Sequence, residues 1–136
     1  MQVTWSDFNA MLRVYKLYDL PYTLDGTSKQ QVPAVRSSFS SYPGSLFSGD
    51  DFYVLSSGLV VQETTIGTSD ESLHIRLTHA YFLGYSNPEL NQFIQPTSVL
   101  EWMRNILANR LSASGTQWTE IYSQYNSGTY NNQNMV

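Results

Sequence analysis

Thr64 and Thr65 stand together at the end of an apolar, β-branched run, and a pair of hydroxyls there can serve hydrogen bonding to a reacting group. Alternation along a strand turns only one of the two inward, and β-propensity alone also accounts for the pair. Asp50-Asp51 is the only adjacent acidic pair in a turn context, and two close carboxylates can share a proton or bind a cation. Strand neighbours point to opposite faces and no third oxygen ligand is evident nearby, so the pair reads first as a turn and strand-entry cap. His74 and His79 are five apart, which misses the one-face spacing of a helical metal pair and suits solvated histidines. Trp5 carries an indole N–H that needs a partner if buried, although a hydrophobic staple onto a following helix is the simpler use. Asn126 to Asn134 (NSGTYNNQN) gathers amides and glycine suited to tight turns and to hydrogen bonding with backbone or ligand. With zero cysteines there is no disulfide, thiolate nucleophile or Cys-based zinc site within the chain, and no cofactor or metal is implied.

These residues need elements to hold them. Phe8, Met11, Leu12, Tyr15 and Tyr18 step by three and four behind Ser6, which predicts a helix from Asp7 to Asp19 ended by Pro21. Thr23 to Gln31, with Asp25-Gly26 inside, reads as a surface loop, Val35 to Ser40 as a strand, and Tyr42-Pro43-Gly44 as a turn. Asp51 to Ser56 and Leu59 to Thr65 flank Ser57-Gly58 and predict a β-hairpin. Thr68 to Asn91 reads as a partly helical excursion stopped at Asn87-Pro88. Ser98 and Glu101 form a capping-box pattern ahead of a helix to Leu111, with Val99, Trp102, Met103, Ile106, Leu107 and Leu111 as its apolar face. A second helix is expected from Gln117 to Tyr125, with Trp118, Ile121, Tyr122 and Tyr125 inward, and a strand from Tyr130 to Val136. Strands with helices before and after predict an α+β layer architecture, with the helices over Asp7 to Asp19 and Ser98 to Leu111 on one sheet face.

The whole chain has 136 residues, 41% hydrophobic and 13% charged, which fits one globular unit and excludes a disordered composition. A formal charge of -4 without a basic cluster argues against nucleic acid as a partner. No apolar run approaches the roughly 20 residues of a membrane span, and MQVTWSDF has no signal-peptide pattern. The last strand enters at Val136 without a cap or polar tail, so residues 1–136 read as a single partial domain of something longer.

Several strings in order, MLRVYK (Met11 to Lys16), FSSYPG (Phe39 to Gly44), DDFYVLSSGLV (Asp50 to Val60), ETTIG (Glu63 to Gly67), VLEWMRNILANRL (Val99 to Leu111) and YNSGTYNNQ (Tyr125 to Gln133), closely resemble the phospholipase B-like family of lysosomal proteins. The resemblance covers nearly the whole chain except about Thr68 to Tyr85, which looks like an insertion into a shorter family loop. It implies an N-terminal nucleophile hydrolase fold, an αββα sandwich of two stacked sheets between helices. Self-cleavage in that family exposes a Cys whose α-amine serves as base for attack on an acyl ester or amide carbonyl of a lipid. The expected partners are a lipid or N-acyl substrate and the remaining segments of a full-length protein, with lysosomal residence. The family's Cys precedes a His-x-x-Trp segment that corresponds here to Gln2-Val3-Thr4-Trp5, so Gln2 replaces a proton-exchanging histidine. Trp5 matches the family's pocket tryptophan and so a substrate-binding role. Thr65 matches a threonine beside the nucleophile and so a catalytic role. A catalytically inactive lipid- or amide-binding or structural fragment is the alternative reading.

Overall fold

The computed structural model describes residues 12–27, 29–64, 94–130 and 132–136. Trp5, Thr65, His74, His79 and the whole Thr68 to Asn91 excursion with its suggested insertion lie outside the described residues. Five strands, β1 (Val14–Asp19), β2 (Arg36–Ser41), β3 (Phe52–Leu55), β4 (Val60–Thr64) and β5 (Gln133–Met135), form an antiparallel sheet in that order. Two helices, α1 (Glu101–Leu111) and α2 (Gly115–Ser123), lie between β4 and β5 in sequence, an α+β arrangement.

β1 overturns the helix expected from Asp7 to Asp19 wherever residues are described. Val14, Tyr15, Leu17 and Tyr18 also fit a strand, because β-branched and aromatic side chains suit the pleat and VYKLYD alternates in burial. Six register pairs with β2, from Val14↔Ser41 to Asp19↔Arg36, replace the intrahelical bonds, and Tyr18 packs edge-on against Phe39 with ring centroids 5.1 Å apart. β2 matches the expected Val35 to Ser40 strand within a residue. The hairpin forms as predicted: β3 and β4 pair through Phe52↔Gln62, Tyr53↔Val61 and Val54↔Val60. Its turn places Gly58 at φ +89°, a left-handed backbone that glycine adopts without a Cβ clash. Gly44, at φ +80°, closes the Tyr42 turn, where Ser45 N–H donates to Tyr42 O at 3.2 Å.

The two sheet faces differ. Phe39, Tyr53, Leu55 and Val61 point to one side and pack with Ala34, Ala108 and Trp118 into the buried core. On the other side Leu17, Ser38, Val54 and Val60 sit opposite one another across four strands, and Leu17 and Val60 are about half exposed or more.

Helix α1 departs from its expected orientation. Met103 and Leu107 of the predicted apolar face are exposed, Trp102, Ile106 and Leu111 are half-buried, and Arg104, Asn105, Ala108, Asn109 and Arg110 are the buried positions. Hydrogen bonding makes the inversion affordable. Arg110 Nη1 donates to Ala34 O and Val35 O, and Arg104 Nη1 to Tyr122 O at 2.6 Å. Trp118 Nε1 donates to Asn109 Oδ1 at 2.7 Å, and Asn109 Nδ2 to Asn105 Oδ1 at 2.8 Å. The predicted capping box does not form: the N-cap is Leu100, Ser98 Oγ donates to Tyr125 O, and the Glu101 carboxylate accepts from Tyr122 Oη at 2.9 Å. α2 begins earlier than expected because Ser114 caps it by accepting from Gln117 N–H. Trp118 is buried inward as predicted, whereas Tyr125 stands past the helix end, exposed, with φ +53°.

Candidate functional site

The loop between β2 and β3 builds one wall of a cleft of about 540 Å³. Ser48 organises that loop: its Oγ donates to Ser40 O and accepts from the N–H groups of Asp50 and Phe52, while its own N–H donates to Tyr53 Oη at 2.7 Å. Gly49 is required beside it, since a Cβ there would meet Tyr42 Cε2 at 2.5 Å. The chain then turns through Asp51 at φ +57°, an uncommon conformation for a residue with a side chain.

This geometry separates the adjacent acids. Asp50 accepts from Ser40 Oγ and lies 3.6 Å from the Arg13 guanidinium. Asp51 turns instead toward Glu63 of β4, and the two carboxyl groups share a hydrogen bond while Glu63 N–H donates to Asp51 O at 2.9 Å. Glu63 is pushed up to about 7, first by burial and then by Asp51, with Asn132 pulling the other way. Burial also raises Asp51. Glu101, which lines the same cleft, is raised by burial against the opposing hydrogen bond from Tyr122 and the charge of Arg104. Phe47 stacks on Trp102 with centroids 6.0 Å apart, and Tyr53, Tyr130 and Asn105 complete the walls. A carboxyl pair that holds one proton near neutrality can give or take that proton, so the cleft can support general acid–base chemistry beside an aromatic wall. No group of three His, Cys, Asp or Glu residues is arranged to hold a metal ion among the described residues.

Asp50-Asp51 therefore occupies the predicted turn before a strand, and Asp51 also finds an acidic partner across the β3–β4 hairpin. The signal for Glu63 lies in the alternation of β4, where Val61 and Glu63 share the inner face and Thr64 lies on the other, paired with Gln133. Glu101 could be read only as a helix-capping residue. Asn126 has the turn role expected of its amide-rich stretch, accepting from Gly128 N–H at 2.8 Å, and its Oδ1 also meets Arg104 Nη2 at 3.3 Å. Trp5 and Thr65 lie outside the described residues.

The profile of the family described as Phospholipase B matches residues 1–136. "Putative phospholipase B-like 2" of Mus musculus is 44% identical over 137 residues, covering 98% of this chain and 20% of that protein. "Phospholipase B-like protein C" of Dictyostelium discoideum is 42% identical, and "Phospholipase B-like 1" of Bos taurus 44%, each over 98% of this chain and 20% of its own length. The chain thus spans about one fifth of the length of these relatives.

Proposed function

Because the chain belongs to the phospholipase B family, we propose that it is part of a phospholipase B-like hydrolase that cleaves acyl ester or amide bonds of lipids. The observation that carries this reading is the similarity along the entire chain, with 44% identity to a relative from mouse. The nucleophile comes from outside these residues, since the chain contains no cysteine and Gln2 holds the position of the family histidine. In the N-terminal nucleophile sandwich that the resemblance implies, the sheet described above is one of two. The apolar row Leu17, Val54 and Val60 suits the face that a second sheet covers. Trp5 contributes to the substrate pocket, and the Thr65 hydroxyl hydrogen-bonds to the nucleophile or the acyl oxygen. Thr64 lies on the face of β4 opposite Val61 and Glu63, away from the acidic cleft, which supports assigning the role to its neighbour. Lysosomal residence belongs to the same proposal, and the partners are a lipid or N-acyl substrate and the rest of the polypeptide. Among the described residues no helix is long and apolar enough to cross a membrane.

The test is acyl release from a lysophospholipid and from an N-acyl amine. The full-length product of the reading frame that encodes this chain is expected to turn over one of them, and the isolated 136 residues neither. Thr65→Val in the full-length protein is expected to lower kcat/KM about tenfold to a hundredfold, the cost of one hydrogen bond of about 1–3 kcal/mol in a dry site. Thr64→Val is expected to be nearly silent. Turnover by the isolated chain, or a folded full-length protein inert toward both substrates, overturns the proposal. Equal kcat/KM for wild type and Thr65→Val removes the role of Thr65.

A further inference from the structure

A second cleft, of about 700 Å³, opens between the inner face of β1 and β2, the loop after β1, and α1. Its walls are apolar, including Leu20, Leu24, Val32, Phe39, Ile106 and Leu107, and its volume falls within the roughly 300–1,000 Å³ usual for small-molecule sites. Tyr53 and Trp102 separate it from the acidic cleft.

Among the described residues one charged side chain lines this apolar space, Arg110, which is only 8% exposed. A guanidinium has two edges that can each offer a pair of donors to a carboxylate. Arg110 spends Nη1 on two backbone carbonyls, Ala34 O at 2.8 Å and Val35 O at 2.7 Å, and its carbon Cζ lies 6.0 Å from the centre of the Tyr22 ring. The Nε–Nη2 edge makes no hydrogen bond, and no carboxylate forms an ion pair with Arg110, among the described residues. The side chain is therefore fixed by protein carbonyls, while among the described residues its charge has no counterion. Apolar walls around a single held cation match an amphiphile that has one negative charge and a long hydrocarbon tail.

We propose that this cleft binds a long-chain carboxylate, a free fatty acid, with its tail along the apolar wall and its head group on the Nε–Nη2 edge of Arg110. Charge directs the orientation: Asp50, Asp51, Glu63 and Glu101 line the neighbouring cleft and repel a carboxylate, whereas Arg110 attracts it. A lone guanidinium balances a monoanion, while a phosphate head group would keep excess charge in an apolar setting. The inference rests on the cleft and Arg110 and not on the hydrolase reading, and it is tested by equilibrium binding, without turnover.

The experiment is displacement of cis-parinaric acid from the 136-residue chain by dodecanoate, dodecanol and a dodecyl phosphate. Dodecanoate is expected to displace the probe at a concentration about tenfold or more below that of dodecanol, the effect of a hydrogen bond to a charged group. Leu107→Glu places a like charge on the wall at a position already 48% exposed. It is expected to weaken dodecanoate binding about tenfold or more while the circular dichroism spectrum stays unchanged. Arg110→Gln is expected to abolish the preference for acid over alcohol. Because Arg110 also ties α1 to Ala34 and Val35, Leu107→Glu decides the matter if Arg110→Gln does not fold. Equal displacement by acid and alcohol, a stronger response to the phosphate, failure of the probe to bind, or unchanged binding in Leu107→Glu overturns the proposal.

Discussion

Glu63 links the acidic cleft to the stability of the fold through its proton. It ordinarily titrates near 4.5 and is raised to about 7 here, so the folded chain holds more protons than the unfolded one between those values. Its contribution to stability is therefore fully present below about 4.5 and is lost as pH rises through about 7. Asp51 and Glu101 are raised too and act with the same sign. The melting temperature by circular dichroism is expected to be higher at pH 5 than at pH 8, and Glu63→Gln is expected to reduce that difference. A melting temperature that rises over this range, or an undiminished fall in Glu63→Gln, refutes the assignment. Asn109 offers a test away from titration. It accepts the indole N–H of the buried Trp118, so Asn109→Leu leaves that donor unpaired and is expected to cost about 1–3 kcal/mol in urea denaturation. Of these residues, the sequence exposes Asp50-Asp51 because the two acids are adjacent in a turn. Glu63 and Glu101 come to the cleft through strand pairing and helix packing, and residue types alone do not encode those distances.

Local chemistry decides which elements could be read in advance. The β3–β4 hairpin was legible because its turn, its glycine and its branched residues all lie within a few positions of one another. β1 was not, because Leu12, Tyr15 and Tyr18 fit a helical stripe while Val14 to Asp19 equally fit an alternating strand, and six pairs with β2 settle the choice. α1 was located correctly but turned the wrong way. Apolar periodicity assumes that polar residues face water, and Arg104, Asn105, Asn109 and Arg110 instead carry internal hydrogen bonds. The helix starts show the same tension. Ser114 caps α2 with its side chain, and Ser114→Ala is expected to cost about 1 kcal/mol. α1 starts at Leu100, which provides no side-chain cap, so Leu100→Ser is expected to stabilise the chain by up to about 1 kcal/mol. Urea midpoints that move in the opposite directions would show that neighbouring contacts, and not the caps, govern these helix ends.

At the scale of the molecule, the unequal faces of the sheet matter more than any single residue. Helices α1 and α2 cover one face, and the core formed by Phe39, Tyr53, Val61 and Trp118 lies under them. The opposite face presents Leu17 at 67% exposure, Val60 at 49% and Val54 at 43%, joined across the strands through Ser38. Exposed apolar side chains in one row across a sheet, even with Ser38 between Leu17 and Val54, mark an interaction surface or an association hazard. In the proposed two-sheet sandwich it is an internal surface, because two packed sheets bury the facing residues between them. The double substitution Leu17→Lys with Val54→Lys separates these meanings. In the isolated chain it is expected to suppress self-association in sedimentation experiments and to leave the core signal of Trp118 in fluorescence intact. In the full-length protein the same change is expected to destabilise by about 1–3 kcal/mol per side chain, the value of burying a Leu or Val. A full-length protein that tolerates both lysines without loss of stability leaves this face in water, and the second sheet must then be placed elsewhere.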